Sequence, residues 1–218
     1  MPLPPPQTRP ANADDRIRDK FRVDLGPDAD DATSLVLAAR DTDPGTRALV
    51  LLLLANGLRV SEVCALQAKD VREDRRGMYV KVLGKGKKVE EVALASEPAE
   101  AVEKAIAGRK RGALCLRKKK DGRLVHYDRH SARRSLIELA SEAGVQPAVW
   151  PHRLRHSFVS LAIDGGVPIE MVSRHARHSS VETTMRYART LGDHDEHSTH
   201  TVMEAIGAGE KVRAPRRG

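Results

Sequence analysis

The segment Pro44 to Ala55 constrains the fold more than any other stretch, because the eight successive residues from Ala48 to Ala55 are all apolar. A helix built on them has no polar face to turn towards water, so it must be packed on every side. Asn56-Gly57 follows at once, a pair suited to a left-handed C-terminal cap. At eight residues the run is far below the ~20 that span a bilayer. A buried central helix in a soluble domain is the reading that remains. With 218 residues and a 40% hydrophobic fraction, the chain can fill one core of ordinary domain size.

Around that helix the pattern predicts further elements. Residues 1–30 are rich in Pro and Asp and poor in apolar side chains, too little to offset ordering entropy, so they are expected to form a disordered leader. The start Met1-Pro2-Leu3-Pro4-Pro5-Pro6 also lacks the apolar core of a signal peptide. A folded domain is expected over 31–190, and a linker, a short helix (Thr201 to Ile206) and a basic tail over 191–218. Thr33 to Arg40 reads as a helix, and Ser61 as the cap of a short helix carrying Glu62, with Arg59 at the connection. Met78 to Val82 and Val89 to Leu94 read as a β-hairpin with Lys85 at its tip. Helices follow over Glu97 to Gly108 behind Ser96, and over Arg129 to Ala143 behind Asp128. Two more are expected over His152 to Asp164, started by Pro151 and stopped by Gly165-Gly166, and over Pro168 to Ala176. Ser179 and Glu182 suggest a capping box for a last helix. Its apolar stripe would be Val181, Met185 and Ala188, leaving Tyr187 about 120° off that stripe. The fold class is α+β, mainly helical, with a small antiparallel sheet or hairpin.

A net charge of +8 and a pI near 9.7 favour a polyanionic partner, DNA, RNA or an anionic membrane surface. Arg109 to Lys120 is either a phosphate-contacting loop or a solvated connection. The cysteines, Cys64 and Cys115, sit in apolar contexts without a CxxC and read as reduced core residues, which suits the cytoplasm. His194, His197 and His200 recur every third residue, but no cysteine or rigid hairpin accompanies them, and a linker is the simpler reading than a metal site.

The most specific pattern is dispersed. His152, Arg155 and His156 lie on one predicted helix, His178 follows Arg155 by 23 residues and Tyr187 follows His178 by nine. Upstream, Arg59 stands in Gly57-Leu58-Arg59-Val60-Ser61-Glu62 and Lys85 in Gly84-Lys85-Gly86-Lys87-Lys88. In order and spacing these positions resemble the active-site signature of the tyrosine recombinase (phage integrase) family, over roughly Thr33 to Arg189. The resemblance implies a catalytic domain in which Tyr187 attacks a DNA phosphate, forms a 3′-phosphotyrosyl bond and frees a 5′-hydroxyl. That hydroxyl later attacks in reverse, so no cofactor is required. Arg59 and Arg155 would clamp the nonbridging oxygens, with His178 as a further donor. Lys85 would protonate the leaving 5′-oxygen, although Lys87 and Lys88 stand beside it, and His152 would act as general acid or base near the tyrosine. Glu62 is expected to orient Arg59 from behind.

Three departures from the family pattern stand out. Arg177 occupies the position of a glycine before His178, Glu90 stands where an arginine often follows the hairpin lysine, and 58 residues precede Arg59 where relatives carry a helical core-binding domain. The resemblance implies a site-specific recombinase or integrase acting on double-stranded DNA as a tetramer, either as a minimal enzyme or as one that takes a core-binding domain from a partner. A type IB topoisomerase and a non-cutting accessory protein or truncated remnant are the alternatives.

Overall fold

The computed structural model describes residues 25–84, 88–178 and 180–191. Helix α1 spans Ala29–Arg40, α2 Pro44–Leu54 and α3 Val60–Ala65, followed by a 3-10 turn at Ala68–Asp70. Strands β1 (Val71–Asp74), β2 (Gly77–Leu83) and β3 (Val89–Ala93) form an antiparallel sheet in that order. Helix α4 (Ser96–Ile106), a two-stranded sheet of β4 (Leu116–Lys118) and β5 (Leu124–His126), and helices α5 (Arg129–Glu142), α6 (Pro151–Asp164), α7 (Ile169–His175) and α8 (Val181–Leu191) complete it. The fold is mainly helical with small antiparallel sheets, as the sequence indicates. No helix among the described residues is long and apolar enough to cross a membrane.

Nine of the eleven residues of α2 are buried, as its apolar run demands, against α1, α3, α4, α5, α6 and β4. Its start is fixed by Asp43, which accepts from Gly45 N and Thr46 N at 3.1 Å. The Thr46 hydroxyl then bridges Asp43 (2.7 Å) and the buried Tyr127 hydroxyl (2.6 Å), so a polar helix end is satisfied inside the core. Gly45 is required for space: a Cβ there would stand 1.9 Å from Leu116 O, where β4 crosses the helix. At the other end Gly57 takes φ 58°, the left-handed cap expected of Asn56-Gly57, and Leu58 N returns to Leu52 O.

Several local expectations change. Helix α1 starts four residues before Thr33, because Asp28 accepts from Asp31 N at 2.9 Å and caps it. Residues 25–28, grouped by composition with the leader, lie against α6, where Ser157 and Ser160 donate to Pro27 O and Leu25 O, each at 2.7 Å. The hairpin of β2 and β3 gains a third strand in β1, and β4 and β5 fall within stretches not read as strands. These strands are three or four residues long, too short for a two-residue period to show. Within the basic run, Arg109 is spent on the fold, donating to Ala105, Ala113 and Leu114 carbonyls. Residues 1–24 and 192–218, with the expected Thr201 to Ile206 helix and His194, His197 and His200, lie outside the described residues.

Candidate active site

Arg59 sits at the entry of α3 in extended conformation, so the helix cap falls at Arg59 and not at Ser61. The reason is Glu62, whose carboxylate accepts from Arg59 N at 2.7 Å and thereby takes over the orphan donor at the helix start. The same carboxylate accepts from Arg59 Nη1 at 2.8 Å. Arg59 keeps 40% of its side chain exposed while Glu62 keeps 5%. A guanidinium held from behind and open in front is the geometry a phosphate donor needs.

Arg155 comes from the buried side of α6 and is 4% exposed. Its Nη1 donates to Gly57 O, the carbonyl of the α2 cap, and its Nη2 to Ala176 O after α7. Burial, then the charges of Arg59 and Arg177, push its pKa down to about 10, so it remains a cation at neutral pH. The cap of the central helix therefore anchors an arginine of the site.

His178 follows the turn after α7, and its Nδ1 pairs with the Thr184 hydroxyl at 2.8 Å. Burial, followed by Arg155, Arg59, His156 and His152, lowers its pKa to about 4. A ring titration of His178 by NMR is expected to give a midpoint near 4 instead of the ordinary 6.5. The folded state then binds fewer protons than the unfolded chain between those values, so this stability is present above pH 6.5 and is lost as pH falls towards 4. Denaturant melts across that window are expected to show the loss, and His178→Asn to remove part of it.

Helix α8 docks on a different face from the one its hydropathy suggests. Val181 and Met185 are about 40% exposed, whereas Thr184 is fully buried and Tyr187 is 7% exposed. Tyr187 is thus part of the packed face, in a cluster with Val159, Ile163, Val172 and Ala176. The pairing of Thr184 with His178 removes the cost of burying a hydroxyl, and the tyrosine ring offers more apolar area than Met185. The Tyr187 ring meets His156 edge-on at 5.5 Å between centroids, and His156 meets His152 at 4.2 Å. His152 and Tyr187 are accordingly linked through His156, one helical turn after His152, which the sequence placed on the same helix without a role.

Lys85 and Lys87 lie outside the described residues, as does Ser179 of the expected capping box. The strands leading to Lys85 close on each other where Gly84 N donates to Lys88 O at 2.8 Å. At the start of α8 it is Ser180 whose hydroxyl accepts from Glu182 N, at 3.1 Å. A cleft of about 820 Å³ runs between the β3 side, with Lys88 and Glu90, and the α7 to α8 turn, with Arg174, His175, Arg177 and His178.

Arg59 at the entry of α3, Arg155 and the two imidazoles of α6, and His178 in the α7 to α8 turn thus bring cations and ring nitrogens into the same part of the domain as the tyrosine of α8. The chain belongs to the phage integrase family, whose pattern matches residues 28–194. It is 40% identical over 86 residues to the tyrosine recombinase XerC of Myxococcus xanthus, covering 39% of this chain and 26% of that protein. To XerC of Mycobacterium sp. (strain KMS) it is 34% identical over 142 residues, 62% of this chain and 46% of the relative. The chain thus spans about a quarter to a half of the length of these curated relatives. Among solved structures, XerA recombinase superposes with a TM-score of 0.64 at 24% identity, covering 99% of this chain and 68% of that one. The catalytic domain of bacteriophage HP1 integrase superposes at 0.59 and 21% identity, covering 88% and 98%. XerH bound to its difH substrate superposes at 0.66 and 18%, covering 86% and 55%. These likenesses show the fold of a tyrosine recombinase catalytic domain.

Proposed function

We propose that this chain is the catalytic part of a site-specific recombinase that cuts and rejoins double-stranded DNA through a 3′-phosphotyrosyl bond at Tyr187. One observation carries the reading. Arg59 and Arg155, dispersed in sequence, meet through Arg177 and the Gly57 carbonyl, while Arg155 also holds the carbonyl of Ala176, which packs in one cluster with Tyr187, and His178 pairs with Thr184 on the helix of Tyr187. In the forward step the Tyr187 oxygen bonds to phosphorus, the P–O5′ bond breaks, and the tyrosine proton passes towards the His156 and His152 pair. Lys85 protonates the departing 5′-oxygen. Arg59 and Arg155 hold the nonbridging oxygens, where charge accumulates in the transition state. With its pKa near 4, His178 is neutral at physiological pH and adds an N–H donor without adding charge. The reverse attack by the 5′-hydroxyl reseals or exchanges the strand. The same reading makes double-stranded DNA the substrate, a tetramer on DNA the working assembly, and the cytoplasm the site of action.

The test is incubation of the full chain with a pool of nicked duplexes of randomised core sequence, in which the cleaved fragment diffuses away and traps the covalent state. A denaturant-resistant adduct joined through a 3′-phosphate is the expected product, and its absence at every core sequence would overturn the proposal. Lys85→Ala is expected to slow adduct formation and to regain it on duplexes whose 5′-bridging oxygen is sulfur, a leaving group that needs no proton. Regain in Lys87→Ala or Lys88→Ala instead would move the acid along the hairpin.

A further inference from the structure

Arg177 holds a conformation that a non-glycine residue adopts at a cost, with φ at 54°. What it gains there is a double hold on Arg59. Its carbonyl accepts from Arg59 Nη2 at 2.7 Å, and its guanidinium, 6% exposed, pairs with Glu62 Oε2 at 2.9 Å. Glu62 Oε1 meanwhile holds Arg59 Nη1. Further donation to His175 O at 2.9 Å and Gly57 O at 3.3 Å fixes the guanidinium between the α2 cap and the end of α7. Its Nε is buried with no hydrogen-bond partner among the described residues, so the buried charge depends on Glu62.

The electrostatic consequence follows from who is buried. A carboxylate facing one guanidinium neutralises it, whereas here Glu62 is shared, and its inner partner Arg177 is shielded from solvent while its outer partner Arg59 is not. We propose that Arg177 is a positioning residue: it satisfies Glu62 from inside, aims Arg59 through its own carbonyl, and leaves the charge of Arg59 free for the scissile phosphate. This rests on the recombinase reading above. Burial by itself raises the Glu62 pKa, but hydrogen bonds and charge from Arg59 and Arg177 outweigh it and leave the carboxyl below its ordinary range. Arg59 on the same turn, Arg177 from the α7 to α8 turn and Arg155 from α6 are the charged groups near it.

Arg177→Gly is the decisive variant, because glycine takes the same φ without strain and keeps the carbonyl while losing the guanidinium. With the nicked duplex pool, it is expected to slow adduct formation about tenfold, with duplex affinity by fluorescence anisotropy within about twofold of the parent. Arg177→Lys should recover part of the loss. In a Glu62→Gln background the cost of Arg177→Gly should shrink below about threefold, since the carboxylate it serves is gone. The acid limb of the cleavage profile should also move to higher pH in Arg177→Gly, because Glu62 then protonates sooner and releases Arg59. An unchanged rate, or an equal cost with and without Glu62, would overturn the proposal. Carbon-13 titration of the Glu62 carboxyl in the DNA-free chain reads the same contact without catalysis: its midpoint should rise in Arg177→Gly. Absence of any adduct from the parent chain would defeat the recombinase reading, while an unmoved Glu62 midpoint would defeat the role of Arg177.

Discussion

Tyr187→Phe is expected to abolish the denaturant-resistant protein–DNA adduct while leaving folding and DNA affinity close to those of the parent. The variant keeps the ring and therefore its packing against Val159, Ile163, Val172 and Ala176 and its edge contact with His156. Only the hydroxyl is lost, at a cost to stability of about 1 kcal/mol. The chemical cost is total, because no other group takes over the bond to phosphorus. Denaturing gels of the trapped reaction, with thermal melts alongside, read both effects. An adduct that persists in Tyr187→Phe would show that the nucleophile is another residue.

Arg59→Ala and Arg155→Ala are expected to slow cleavage by at least about a hundredfold each, in line with the ~2.7–4 kcal/mol that one preorganised donor contributes to an oxyanion transition state. The two differ in what else they disturb. Arg155 is buried and donates to the Gly57 and Ala176 carbonyls, so its removal takes the donor from Ala176 O, leaves Gly57 O to the 3.3 Å donation from Arg177, and lowers stability. Arg59 is half open, and its loss leaves Glu62 still paired with Arg177. Single-turnover rates measured well below each variant's melting temperature separate the two contributions. If Arg155→Ala cleaves normally once folded, Arg155 is a strut between α2 and α7 and not a phosphate ligand.

The sequence alone determined the elements whose signals are local and long. Ala48 to Ala55 admits no helix but a buried one, Asn56-Gly57 closes it, Pro151 and Gly165 bracket α6, and short β-like runs on either side of a Gly- and Lys-rich turn mark β2 and β3. Order and spacing, through their resemblance to the tyrosine recombinase signature, put forward Arg59, Lys85, His152, Arg155, His178 and Tyr187 as candidates, with Glu62 behind Arg59. Tertiary structure decided what local periodicity leaves degenerate. On α8 the Val181, Met185, Ala188 stripe and the Thr184, Tyr187, Ala188 stripe are both possible helix faces. The second is buried because His178 satisfies Thr184 and because α6 and α7 offer Tyr187 an apolar seat. Arg177 reads in sequence as a departure from the family's glycine before His178, and its burial becomes affordable only beside Glu62, 115 positions away in the chain. A buried charge is defined by its partner, and that partner is set by the packing of distant segments rather than by neighbours in sequence.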